Sequence, residues 1–168
     1  MATVVMSIEG VLNDGAPNLD LLNSESHDHG KILYNIFRDT SRLLMLSTDP
    51  NKDKVKAWMA RERFHRYADI HCYPNDTVLS PSEWRAQHVK DLMGIGHHIA
   101  FYIDSDPDTV KHVLESGVHA LLVTSPGVIP GRFEKDYTYS SWYDLVDSIE
   151  KQAAFKAQKT VELEDSDG

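Results

Sequence analysis

Short apolar runs alternate with polar stretches and with segments of helical spacing along most of this chain. Thr3-Val4-Val5-Met6, closing on Ser7-Ile8-Glu9-Gly10, predicts a strand buried on both faces. The polar stretch from Asn13 to Lys31 contains the turn signal Asn13-Asp14-Gly15, and Ile32, Ile36 and Phe37 then recur at helical spacing. Leu43-Leu44-Met45-Leu46 predicts a second buried strand. Asp49-Pro50 predicts a helix start, with aspartate as N-cap, and Val55, Trp58 and Met59 form the apolar stripe of that helix. Ile70 to Tyr73 reads as a short strand. Ser80-Pro81-Ser82-Glu83 is a capping box opening a helix that ends near Met93. Ile99 to Ile103 is a strong strand. Asp106-Pro107 caps a helix carrying Val110, Val113 and Leu114 inward and stopping at Gly117. Ala120 to Val123 is the last clear strand, and a helix from near Ser141, with Asp144 in capping-box position, carries Leu145, Val146 and Ile149.

Buried strands alternating with helices predict a doubly wound, Rossmann-like α/β fold, a parallel sheet with helices on both faces. In such folds a ligand sits beyond the carboxyl ends of the strands, where the strand order reverses. One domain over residues 1–157 is expected, with an acidic, disordered tail at 158–168.

Composition narrows the function classes. An apolar share of 41% with 26% charged residues is ordinary for a globular protein. The net charge of -9 argues against general nucleic-acid binding, which needs a basic surface. A phosphorylated small molecule stays compatible, because a bound divalent metal supplies positive charge locally. Cys72 is the one cysteine, so no intramolecular disulfide forms. Met1 to Met6 lacks the basic and apolar regions of a signal peptide, and no apolar run reaches the ~20 residues of a membrane span. A cytoplasmic setting, in a cell or in an infected host, is the expectation.

The polar residues gather after the strands: Ser7 and Glu9, then Ser47-Thr48, then Asp104-Ser105-Asp106-Pro107-Asp108. If the first strand neighbours Ile99–Ile103, then Glu9 and Asp104 converge, and two carboxylates beside hydroxyls suit a magnesium ion carrying water and phosphate. Strand-end hydroxyls are common, however, and Asp106 is already used as a helix cap. His27-Asp28-His29 lies in a polar loop with no third ligand in view and reads as solvated. Trp58, Trp84 and Trp142 read as core or half-buried anchors. Arg132, Lys135, Tyr137, Tyr139 and Tyr143 fit an interface, or simple packing of the last helix.

The order of these elements resembles the haloacid dehalogenase-like (HAD-like) superfamily, over roughly Thr3 to Val123. Val4 to Leu12 is similar to its first motif, an apolar strand followed by Asp-x-Asp-Gly. Leu43 to Ser47 is similar to the second, an apolar strand ending in serine or threonine. Tyr102 to Asp108 is similar to the fourth, an apolar strand ending in paired acids. For the third motif, a lysine at the start of the preceding helix, Arg85 is nearest and Lys90 comes one or two turns later.

The resemblance implies magnesium-dependent phosphohydrolase chemistry. Ser7 stands at the nucleophile position and Glu9 at the acid/base position. Ser47, Thr48 and Arg85 or Lys90 would hold phosphate, and Glu9, Asp104 and Asp108 would hold the metal. The segment from about 13 to 30 would be a short flap over the site, leaving the crevice open to large substrates or protein. The departure is at the centre of the chemistry. A serine hydroxyl needs a base to attack, whereas the usual aspartate is already ionised, and one charge is lost from the magnesium shell. Glu9 displaces the acid by a methylene, and ~1 Å of misplacement costs on the order of a hundredfold in rate. Residues two apart on a strand share a face, so Glu9 could serve Ser7 as base.

The first expectation is therefore a pseudo-phosphatase that binds a phosphorylated ligand, a nucleotide or a protein partner. An active magnesium-dependent phosphomonoesterase with an altered nucleophile is the second, and a purely structural or interaction module the third. Small stand-alone proteins of this kind resemble ones in bacterial and phage genomes.

Overall fold

The computed structural model describes residues 1–15, 20–124, 146–147, 149–151, 153–155 and 157–158. The chain divides into two compact units, Met1–Val123 and Thr124–Gly168. In the first unit the order is β1 (Thr3–Ser7), α1 (Asp28–Arg38), β2 (Arg42–Ser47), α2 (Lys52–Arg61), β3 (Asp69–Cys72), α3 (Pro81–Gly94), β4 (Ile99–Asp104), α4 (Pro107–Glu115) and β5 (Ala120–Leu122). A single 3-10 turn, Leu21–Asn23, lies between β1 and α1.

Every strand pairing is parallel, and the sheet order is β3-β2-β1-β4-β5. Parallel neighbours need a crossover, and a helix supplies each one. The chain first builds outward from β1 to β3, then returns to β1's other edge as β4. The order thus reverses between β1 and β4, the place where such sheets receive ligands.

Alternation along the strands sends successive side chains to opposite faces. Val4, Met6, Leu43 and Met45 meet Tyr34, Val55, Trp58 and Met59 from α1 and α2. Val5, Leu44, Leu46 and Tyr102 meet Trp84, Val89, Val110 and Val113 from α3 and α4. All five residues of β1 are buried, so substituting any of its large side chains by alanine removes packing worth about 2–5 kcal/mol.

Several local expectations are corrected. Ile32 and Ile36 of α1 are exposed, and the helix buries Gly30 and Tyr34 instead. A Cβ on Gly30 would lie 2.6 Å from the Val11 carbonyl oxygen and 2.7 Å from Leu12 Cα, so α1 approaches closely at Gly30, while Tyr34, with Leu33 and the expected Phe37, packs on the core. His27-Asp28-His29 is not loop but the start of α1, with His27 at the N-cap and Asp28 in the first turn, where a negative charge suits the helix dipole. The N-cap of α2 is Asn51, which accepts from the Lys54 amide at 3.1 Å, while Asp49 accepts from the Asn51 amide at 2.9 Å. Asp49 and Pro50 thus form a turn that delays the helix. Leu114 points outward from α4, and Trp84 is buried as expected. The capping box of α3 forms as expected, with Ser80 and Glu83 as partners.

In the second unit, residues 146–147, 149–151, 153–155 and 157–158 are helical, and Lys151 Nζ pairs with Asp147 Oδ2 at 2.6 Å one turn away. The expected helix start at Ser141–Leu145, the cluster Arg132, Lys135, Tyr137, Tyr139, Trp142 and Tyr143, and the tail from 159 lie outside the described residues. Among the described residues, no helix is long and apolar enough to cross a membrane.

Candidate functional site

Parallel pairing sets the carboxyl ends of β1, β2 and β4 side by side, and these strands end in Ser7, Ser47 and Asp104, all fully buried. Beyond β1 the chain turns at Gly10, whose φ of +86° favours glycine. A Cβ there would fall 1.9 Å from Ser105 Oγ, so the loops after β1 and β4 touch at this point. Asn13, nearly fully buried, organises the segment beyond this turn. Its Oδ1 accepts from the amides of Gly10 and Gly15, each at 3.1 Å, and its Nδ2 donates to Ser24 Oγ at 3.0 Å. Residues 20–26 are then tied to α2. Trp58 Nε1 and Arg61 donate to the Ser24 carbonyl at 3.0 and 2.6 Å, and Ser26 donates to the Glu62 carboxylate at 2.8 Å. The described part of the segment expected to be a flap is thus anchored at its base.

The Ser7 hydroxyl donates to the backbone carbonyl of Glu9 at 3.3 Å. The Glu9 carboxylate turns to β2 instead: Oε1 accepts from Ser47 Oγ at 2.5 Å and Oε2 from the Thr48 amide at 3.2 Å. Ser47 Oγ also accepts from the Asp49 amide at 3.1 Å, which fixes its orientation. Glu9 as a residue is part-exposed, but its carboxyl is drawn inward. Burial pushes its pKa above the ordinary carboxylate value, against the Ser47 and Thr48 hydrogen bonds and the Arg85 charge.

Across β1, Asp104 Oδ1 accepts from the amides of Ser105 and Asp106 at 2.7 and 3.1 Å, and Oδ2 accepts from the Tyr102 hydroxyl at 2.5 Å. Burial holds the Asp104 carboxyl above its usual value, opposed by Arg85 and the Tyr102 hydrogen bond. Arg85 rises from the first turns of α3 and is itself buried. Its Nε lies 3.8 Å from Asp104 Oδ2 and its Nη1 3.4 Å from Asp106 Oδ2. Burial alone would weaken the Arg85 charge, but Asp104, with Asp106 and Glu9, outweighs it and raises the pKa. Nε is the one buried side-chain nitrogen or oxygen without a hydrogen-bond partner among the described residues. Asp106 caps α4 and also accepts from Ser82 and, at 2.5 Å, from Thr109.

Ser7, Glu9, Ser47, Thr48, Arg85 and Asp104 therefore share one end of the sheet. Lys90 does not join them. It is exposed five residues beyond Arg85, about 7–8 Å along the helix, and lines a cavity with Met93, His112, Glu115 and Ser116 at the far ends of α3 and α4. Asp108 is exposed in the first turn of α4. Among the described residues, no group of three histidine, cysteine or acidic side chains is arranged to hold a metal ion. The Glu9 and Asp104 carboxylates each accept from protein donors, and with Asp108 they do not form such a group.

Two contributors escaped the sequence. Tyr102 shares a face with Asp104 by simple alternation, a signal that was there to read. Asn13 carried only a turn signal, and its bridging of Gly10, Gly15 and Ser24 is a tertiary fact.

No family model matches the chain, and no curated protein does. Solved structures do. A chain of the Pnkp1/Rnl/Hen1 RNA repair complex is similar with a TM-score of 0.60 and 12% identity, over 73% of this chain and 42% of that one. A haloacid dehalogenase-like family hydrolase from Streptococcus pneumoniae is similar with a TM-score of 0.54 and 11% identity, over 74% of this chain and 85% of that one. This chain thus spans less than half of the RNA repair chain it matches. The shared property at these identities is the fold, a five-stranded parallel α/β sheet like that of the haloacid dehalogenase-like hydrolase.

Proposed function

We propose that this HAD-like protein lacks normal phosphatase turnover and uses its crevice to bind a phosphorylated ligand, a nucleotide or a protein partner. The observation that carries this reading is the direction of the Ser7 hydroxyl. It donates to the Glu9 backbone carbonyl, while the Glu9 carboxylate, the base expected for it, is engaged by Ser47 and Thr48. A serine with no base taking its proton is a poor nucleophile. The donors of the crevice, Ser47, Thr48 and Arg85, are the types that hold oxyanions. Similarity to a chain of a multiprotein RNA repair complex supports keeping a protein partner in the reading.

An active phosphomonoesterase would need Glu9 to leave Ser47 and face Ser7, and would need a metal shell assembled from Glu9, Asp104 and Asp108. The test is a thermal-shift titration of the full chain with nucleoside monophosphates and simple phosphate esters, run beside an assay for released phosphate. Stabilisation without release supports binding. At a hundredfold excess over Kd, mass action contributes about 2.7 kcal/mol. Magnesium-dependent release supports the enzyme, and absence of both responses supports a structural module.

A further inference from the structure

The donors at the end of β2 are occupied by a group of the chain's own. Ser47 Oγ and the Thr48 amide both donate to the Glu9 carboxylate, one to each oxygen. The Ser47 proton goes to that carboxylate, while its Oγ accepts from the Asp49 amide. Arg85 adds a buried positive charge acting on Glu9, with a nitrogen that has no hydrogen-bond partner among the described residues. A hydroxyl and an amide converging on one carboxylate, with a buried guanidinium charge acting on it, satisfy an oxyanion, and a phosphoryl group makes the same demand as a carboxylate with one more oxygen. Left without an anion, such buried donors are costly. Glu9 has the reach to supply one from the turn after the neighbouring strand, and its part-exposed position leaves water for a displaced carboxylate.

We propose that the Glu9 carboxylate is an internal stand-in for the oxyanion of the ligand, so that the crevice rests closed and a phosphorylated ligand enters by displacing Glu9 from Ser47 and Thr48. This rests on the binding function proposed above and adds a regulation to it: occupancy is set by competition between Glu9 and the incoming phosphate. The contact also gives the longer acid at position 9 a use that acid/base chemistry does not.

The test is calorimetric titration of the full chain with inorganic phosphate at fixed ionic strength, on the wild type, Glu9→Ala, Glu9→Gln, and Glu9→Ala combined with Ser47→Ala. Glu9→Ala is expected to bind phosphate about tenfold or more tighter than wild type, as loss of a charged competitor for the same donors requires. Adding Ser47→Ala is expected to remove that gain. If Glu9→Ala fails to fold, judged by its melting curve, Glu9→Gln carries the test, because it keeps the volume but not the competing charge. Equal phosphate affinity in the wild type and the folded Glu9 variant would overturn the stand-in while leaving an oxyanion-binding crevice. A gain that survives Ser47→Ala would overturn the placement, and no binding by any variant would overturn both the stand-in and the oxyanion reading.

Discussion

Ser47 and Glu9, 38 residues apart in sequence, meet across the β1–β2 seam with the serine hydroxyl 2.5 Å from the carboxylate. The contact exists because parallel pairing sets β1 and β2 in register, with Ser7 opposite Leu46, and the chain beyond each strand continues over the same edge. It commits the acid that would otherwise serve proton transfer. The Ser7 hydroxyl, at the end of β1, is left pointing at a backbone carbonyl. Both facts bear on one question, whether this crevice turns over what it holds.

Arg85 is the electrostatic centre of the site, flanked by Asp104 and Asp106. Arg85→Met keeps much of the volume but leaves the buried Asp104 carboxylate without its counter-charge. Breaking a buried pair from one side costs about 3–5 kcal/mol. Urea denaturation should show this loss, and Arg85→Met with Asp104→Asn should recover a measurable part of it. If the single variant unfolds at the wild-type midpoint, Arg85 does not hold the site together.

Gly10 joins the loops after β1 and β4. Gly10→Ala meets both a positive φ and a Ser105 Oγ 1.9 Å from the new Cβ. The backbone strain alone is of order 1–3 kcal/mol. Thermal unfolding should show Gly10→Ala destabilised, with Ser105→Gly relieving the clash but not the strain. Complete rescue by Ser105→Gly would mean that the left-handed backbone carries no cost here.

A pH dependence should arise away from the crevice. His88 on α3 faces β3, with its Nε2 2.6 Å from His71 Nδ1, its ring stacked on Trp84, and Asp69 behind His71 at 3.2 Å. Burial, then the neighbouring His71, lowers the His88 pKa, opposed by Asp91. The unfolded state therefore binds more protons below the ordinary value of 6.5, so stability is full above that pH and is lost as pH falls toward the folded-state value. Unfolding midpoints measured from pH 8 to about pH 5 should fall more steeply for wild type than for His88→Gln. Parallel curves would show that His88 does not contribute.

The strands were readable in the sequence because β1, β2 and β4 are short apolar runs closed by polar residues, the pattern of strands buried on both faces. Ser7, Ser47 and Asp104 came with them, since each ends a strand. Where side-chain size misleads, the reading failed: Gly30 brings α1 against Val11 and Leu12, so the conspicuous Ile32 and Ile36 face outward. Lys90 looked equivalent to Arg85 by composition, but about one and a half turns of helix carry it away from the strand ends. The turn of Glu9 toward Ser47 depends on strand register and loop path, which no local pattern encodes. The Asn13 bridge has the same origin.

The most direct measurement is phosphate release from a broad phosphomonoester panel, with and without magnesium, for wild type beside Ser7→Asp and Asp104→Asn. Silence from the wild type across the panel is expected, because no base takes the Ser7 proton. Activity appearing in Ser7→Asp would mark a site whose remaining parts still work. Magnesium-dependent release by the wild type that Asp104→Asn abolishes would contradict the account, and the protein would then be a phosphatase with a new nucleophile.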